Sequence, residues 1–310
     1  MVFQLSWVTM AGWGMWYTSL MFFAAVTHEV SCIEMGFAPE AVDDAYTACR
    51  EEMLQKMLAE KGILQEELKI NTVFQKEWNT SSHCQKQIPG GLPLHSQALQ
   101  AFGNSRSLSK QFNEAVMTKG GTPSIYKEQF HFKSLHFLLM DAFRLLKNDS
   151  QCSTVYSGIF KDFTAVKGTE VRFGGFFSAN SDKSSEEEGC ADGGTLFTIN
   201  TCSIINMEVH ACSPEHTVLL ISPVEVFKVE DVKTGHTDCK REIVLTSSRF
   251  HSNHNCYLFP RDPTTPVPTA HTTSAMADPP AGGSSTQWVS SGGVVLLTAA
   301  LHICLICLAP

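Results

Sequence analysis

Carboxylates, imidazoles and thiols have the widest chemical scope in this chain, and their spacing restricts what they can do. Glu186, Glu187 and Glu188 form a run flanked by Ser184, Ser185 and Gly189. Charge in such company reads as a solvated loop rather than as a catalytic pair. His131 and His136 lie five apart on an expected helix. Two imidazoles that share one metal from one helical face sit three or four apart, so these two are expected in packing or on a polar rim. Of the 11 cysteines, Cys304 and Cys307 fall in a terminal apolar tail and Cys32 lies close to an N-terminal apolar run. The other eight are Cys49, Cys84, Cys152, Cys190, Cys202, Cys212, Cys239 and Cys256. No two of these eight form a C-x-x-C pair, so they read as disulfides of a secreted chain rather than as zinc ligands. No metal is expected.

Two kinds of element must position these groups. Residues 40–70 carry helical spacing and good helix formers, as in Glu51-Glu-Met-Leu-Gln-Lys-Met-Leu-Ala-Glu60. A stronger helix is expected from Gln129 to Lys147, where Phe130, Leu135, Leu138, Ala142, Leu145 and Leu146 recur at about 3.6 residues. From Cys152 the pattern changes to short β-branched and aromatic runs separated by Gly, Ser or Asn. Strands are expected at 154–156, 170–173, 195–201, 217–221, 225–229 and 242–246. Helices first and strands second argue for an α+β fold.

The two ends have a different character. Residues 1–27 hold an apolar run through Trp13, Trp16, Leu20, Phe22 and Phe23, then Ala24 and Ala25, which reads as a secretory signal peptide. Residues 28–259 are the expected ectodomain. Residues 260–285 are rich in Pro, Thr and Ser and cannot build a core, so they read as an extended stalk. Residues 286–310 comprise a polar spacer and an apolar tail from Val294 to Pro310. No Lys or Arg follows Arg261, and a spanning helix normally carries basic residues at its cytoplasmic exit. The small residues Gly282–Ser285, the spacer and the tail match the signal for a glycosylphosphatidylinositol (GPI) anchor, which is removed on attachment of the lipid. Asn79-Thr-Ser and Asn148-Asp-Ser are N-glycosylation sequons. With a net charge of −8 and no basic cluster beyond Lys240-Arg241, no nucleic-acid partner is expected.

Four segments between 152 and 227 carry a resemblance. They read Cys152-Ser-Thr-Val-Tyr-Ser157-Gly158, Val171-Arg-Phe-Gly174-Gly175-Phe-Phe-Ser178, Thr195-Leu-Phe-Thr-Ile-Asn-Thr201-Cys202, and Pro214-Glu215-His216-Thr217 running on to Glu225-Val226-Phe227. In order and spacing they resemble the cell-surface mono-ADP-ribosyltransferases, which move ADP-ribose from NAD+ to protein arginine. The resemblance covers about residues 35–259. It implies a helical lobe packed on a β lobe with an NAD cleft between them. It also implies NAD+ as substrate with NADP+ as a second candidate, an acceptor protein with an exposed arginine, and a place on the outer cell surface held by lipid.

The resemblance implies site residues too. The family signature is Arg, Ser and Glu-x-Glu. Here the Arg position is Ser157, the Ser is Ser178, the first Glu is Glu215 and the second is Thr217. The family Gln of R-F-G-Q-F is Gly175, and the family Tyr of A-L-x-A-Y is Phe102. Phe102, Ser157, Gly175 and Ser178 are thus the expected NAD-binding positions. Breaking the nicotinamide–ribose bond develops positive charge on the ribose, which a fixed carboxylate stabilises. Thr217 carries no charge. Ser157 has neither the reach nor the permanently charged fork of arginine, and Lys161, four residues on, reads as an ordinary exposed lysine. Removing one such group costs on the order of 10²–10³ in rate, so transfer is expected to be weak or lost. The alternatives are a catalytically silent recognition protein and a residual NAD+ glycohydrolase. The family also implies disulfides Cys49–Cys256 and Cys152–Cys202, and leaves the pairing of Cys84, Cys190, Cys212 and Cys239 open. On loop-closure entropy each long loop contributes roughly 4–5 kcal/mol.

Overall fold

A computed structural model describes residues 32–146, 152–191, 193–212, 218–235 and 238–259. The signal peptide, stalk and tail expected at the ends lie outside the described residues, as do Asn148, Glu215 and Thr217.

The chain is helical first and β second. A short strand β1 (Ile33–Glu34) precedes α1 (Arg50–Leu58), α2 (Ile63–Ile70), α3 (Thr72–Thr80), α4 (Pro93–Asn104), α5 (Arg106–Thr118), α6 (Pro123–Gln129) and α7 (Lys133–Leu145). Strands β2 (Ser153–Ile159), β3 (Phe163–Thr164), β4 (Glu170–Val171) and β5 (Phe177–Ala179) follow, then α8 (Lys183–Cys190). The chain continues through β6 (Thr195–Thr201), β7 (Ile204–Asn206), α9 (Met207–His210), β8 (Leu219–Ile221), β9 (Glu225–Thr234) and β10 (Arg241–Phe250). The α+β class read from the sequence is the class of this fold.

A five-stranded sheet has the order β2-β6-β10-β9-β4, with β6 and β10 parallel and the other neighbours antiparallel. A three-stranded antiparallel sheet has the order β5-β8-β7. The two sheets touch where Tyr156 and Asn180 exchange backbone hydrogen bonds of 2.8 and 2.7 Å. One apolar core lies among the helices and takes in Phe176, Ile205, Met207 and Leu220 from the β part. A second lies among the strands around Phe197, Ile199, Phe227 and Ile243.

Three expectations need correction. The helix expected from Gln129 to Lys147 begins at Lys133, and Gln129 ends a separate helix, α6. Between them Phe130 is extended. The N-terminal turn of α7 is capped from a distance: Glu67 of α2 accepts from Lys133 N at 2.6 Å and from Ser134 N at 2.9 Å. The acidic run at Glu186 is not a loop. It lies in α8, which Asp182 caps by accepting from Ser184 N at 3.0 Å, and the helix packs on β2. Residues 40–49 are not helical, so the helical spacing of 40–70 resolves into α1 and α2 alone.

The polar stretch Asp43-Asp44 joins the two ends of the described chain. The Arg172 guanidinium donates to Asp43 at 2.8 Å, with both side chains fully buried. His254 Nδ1 and the Asn253 amide donate to the same carboxylate. Burial alone would raise the Asp43 carboxyl, but these partners hold it below its usual range. Asp44 accepts from the backbone N–H of Cys256 and Tyr257. Beside them Cys49 is bonded to Cys256. The other bonds are Cys152–Cys202, Cys84–Cys212 and Cys190–Cys239, which is one of the three pairings left open for the last four cysteines.

Candidate functional site

A cleft opens where the helical part meets the three-stranded sheet. Ser178 faces it from β5, because its neighbours Phe177 and Ala179 turn the other way into the strand core. The end of α4 supplies Gln100, Phe102, Gly103 and Asn104, and α5 supplies Ser109. Met207, Ala211 and Val218 complete the described wall. None of the described lining residues carries a charge.

Phe102 is held by aromatic packing. Its ring lies 5.8 Å from Phe112 and 6.1 Å from Phe176 between centroids, which fixes the floor of the cleft. A tyrosine here would add a hydroxyl, and phenylalanine leaves the floor apolar. Gln100 braces the wall by accepting from the Cys212 amide at 2.5 Å.

Ser157 is placed differently. It lies on β2 opposite Phe197 of β6, with 6% of its surface exposed, and it is not among the residues lining the cleft. The next residue, Gly158, faces the other side. Its amide donates to Glu186 Oε2 at 2.8 Å, and a Cβ on it would sit 1.7 Å from the Glu186 carbonyl oxygen. Alternation along a strand therefore turns Ser157 away from α8 and its carboxylates. The register Tyr156–Asn180 still places β2 beside β5, so Ser157 and Ser178 sit on adjacent strands.

Gly175 lies behind the cleft. Asn113 of α5 grips the neighbouring residue from both sides, accepting from Phe176 N at 2.9 Å and donating to Phe176 O at 2.9 Å. A Cβ at Gly175 would meet Asn113 Oδ1 at 2.9 Å. Glycine at this position thus makes room for the amide clamp that seats Phe176 under Phe102. Asn113 and Gln100 were not singled out from the sequence. Each acts on a backbone amide or carbonyl 63 or 112 residues away, and no local pattern carries that.

His136 is buried, accepting from the Tyr46 hydroxyl at Nδ1 and donating from Nε2 to the Val42 carbonyl, both at 2.9 Å. Burial pushes its pKa down to about 4, so it is a neutral packing residue. His131 is exposed. Among the described residues no group of three or more His, Cys, Asp or Glu is arranged to hold a metal.

Comparison with known proteins agrees with this architecture. Residues 35–253 match the family described as NAD:arginine ADP-ribosyltransferase. Ecto-ADP-ribosyltransferase 5 of Bos taurus is 33% identical over 240 residues, covering 72% of this chain and 73% of the relative. NAD(P)(+)--arginine ADP-ribosyltransferase 2 of Gallus gallus is 31% identical over 234 residues, covering 72% of each. The crystal structure of the eukaryotic mono-ADP-ribosyltransferase ART2.2 superposes with a TM-score of 0.62 at 31% identity, covering 72% of this chain and 98% of that one. A mutant of ART2.2 has been solved in complex with NAD, with the same TM-score. The chain belongs to the NAD:arginine ADP-ribosyltransferase family. Within it, the relatives it resembles include ecto-ADP-ribosyltransferases of mammals and an arginine ADP-ribosyltransferase of Gallus gallus.

Proposed function

We propose that this chain is a cell-surface member of its family that takes NAD+ as substrate and protein arginine as acceptor, with transfer weak or lost. One observation carries the reading. The family arginine position is a neutral, nearly buried hydroxyl, Ser157, beside a cleft whose described lining has no charge. Ser178 and the amides of Asn104 and Gln100 suit ribose hydroxyls and a carboxamide. A diphosphate finds no cation among those residues to answer it, and neutral donors are worth roughly half as much as charged ones toward an anion. NADP+, with one phosphate more, meets the same lack.

In this reading Ser178 positions the nicotinamide ribose and Glu215 faces the acceptor arginine. Thr217 replaces the carboxylate that would stabilise charge developing on the ribose. The lack of charge among the described lining residues also favours a second reading, a catalytically silent surface protein that uses the fold for recognition. Hydrolysis of NAD+ by water is the remaining outcome for a cleft that retains Ser178. The chain enters the secretory pathway, loses residues 1–27 and is held by GPI lipid after removal of the tail, with 260–285 as stalk. Asn79, exposed on α3, and Asn148 carry the N-glycans.

Calorimetry of the protein with NAD+, followed by a transfer assay on an arginine acceptor, tests the reading. The expected result is weak or absent binding and transfer far below that of an active relative. Tight NAD+ binding with rapid transfer would overturn it.

A further inference from the structure

Away from the lobe junction, a groove lies between the ends of three helices. Its floor is apolar, with Ile63, Ile70 and Leu258. Lys56 in the last turn of α1, Lys69 in the last turn of α2 and Lys127 in the last turn of α6 stand around it. A lysine at a helix C-terminus is ordinary, because it faces the negative end of the helix dipole. Three such ends converging on one concavity is a property of the tertiary fold.

The balance of charge inside the groove is one-sided. Glu67 is committed inward, where it caps α7 and accepts from the Ser134 hydroxyl at 2.6 Å. Lys133 is also turned in, its ammonium donating to the carbonyls of Lys127 and Phe130. That leaves Glu66 as the exposed carboxylate among the described lining residues, against three exposed ammonium groups. Elsewhere several exposed lysines pair off, Lys76 with Glu77, Lys110 with Glu114 and Lys167 with Asp231, while the exposed Lys61 and Lys161 stand singly outside the groove. Among the described residues no carboxylate lies within salt-bridge distance of Lys56, Lys69 or Lys127, and Lys56 instead stands 5.7 Å from the Phe259 ring. In a chain of net charge −8, this concentration of unanswered positive charge makes a local field that draws anions.

We propose that this groove binds a stretch of sulfated polysaccharide, a glycosaminoglycan of the cell surface. Repeated sulfates answer several ammonium groups at once, and sugar-ring faces suit an apolar floor. A bilayer is flat and does not fill a concavity. A single phosphorylated side chain answers one ammonium group and leaves the others. The proposal rests on the extracellular placement given above and not on the catalytic reading, so it stands or falls separately from NAD+ turnover.

The test uses full-length protein, solubilised from expressing cells and titrated with size-defined heparin oligosaccharides at near-physiological salt. One variant carries Lys56→Ala, Lys69→Ala and Lys127→Ala. A control of equal charge carries Lys76→Ala, Lys110→Ala and Lys167→Ala. The groove variant should lose about tenfold or more in affinity while the control binds like wild type, because the control lysines are already paired with carboxylates and lie outside the groove. A Lys→Gln version of the groove variant, with an unchanged melting curve, should lose the same. Three results would overturn the proposal: no heparin binding by wild type, equal losses in both variants, or binding to anionic phospholipid vesicles in place of heparin.

Discussion

Gly158 donates its backbone N–H to a Glu186 carboxylate oxygen at 2.8 Å, on the face of β2 opposite the one that Ser157 occupies. The Glu186 carboxylate is therefore already engaged and lies on the side of the strand away from the family arginine position. It belongs to the joint between α8 and the sheet.

A Cβ at Gly158 would lie 1.7 Å from the Glu186 carbonyl oxygen and 3.3 Å from Cys190 N, so α8 would have to shift off β2. Gly158→Ala should destabilise the fold by roughly 1–3 kcal/mol, seen as a fall of about 5 °C in Tm. Adding Glu186→Ala should not restore it, because the clash is with backbone. Melting identical to wild type would show that α8 does not pack on β2 in this way.

Stability should depend on acid through His136. Its pKa is pushed down to about 4 by burial, against about 6.5 in an unfolded chain. Between these values the unfolded state binds a proton that the native state refuses, so unfolding free energy rises with pH. The contribution is complete above pH 6.5 and is lost as pH falls to 4, amounting to about 3 kcal/mol. Burial raises Asp141, but hydrogen bonds from His95, Arg50 and Arg144 outweigh it and hold the carboxyl far below its usual range, so further stability is lost in stronger acid. Urea unfolding at neutral and mildly acidic pH reads the slope, and the His136 ring resonance should stay neutral down to about pH 5. A midpoint independent of pH over that range would contradict the buried Tyr46–His136–Val42 chain.

Attachment to the membrane is testable without structure. A phosphatidylinositol-specific phospholipase should release the protein from expressing cells. Retention after treatment, with the peptide from Val294 to Pro310 still present by mass spectrometry, would mean that the tail is a spanning helix.

The sequence was most readable where local chemistry decides local structure. Thr195–Thr201 is apolar and β-branched between Gly194 and Cys202, and it forms a central strand with those same bounds. It was least readable where a distant group intervenes. Periodicity runs unbroken through Phe130 and Phe132, yet Glu67 caps a new helix at Lys133 from 66 residues away. Three consecutive glutamates look solvated, yet α8 is capped by Asp182 and tied to Cys239 by Cys190. In the cleft, Ser178 and Phe102 were found through motif order alone. Asn113 was missed because its partner, the backbone of Phe176, has no side-chain signature.

In the proposed function, the substitutions at Ser157 and Thr217 account for weak or lost transfer. The most direct measurement compares arginine-directed ADP-ribose transfer by wild type and by the double variant Ser157→Arg, Thr217→Glu, with Tm recorded because Ser157 is nearly buried. The account predicts a gain of about 10² or more in the double variant. Each single change should give less, since both groups act on one transition state, and the gain should vanish when Ser178→Ala is added. Wild-type protein that already transfers as fast as a folded double variant would contradict the account.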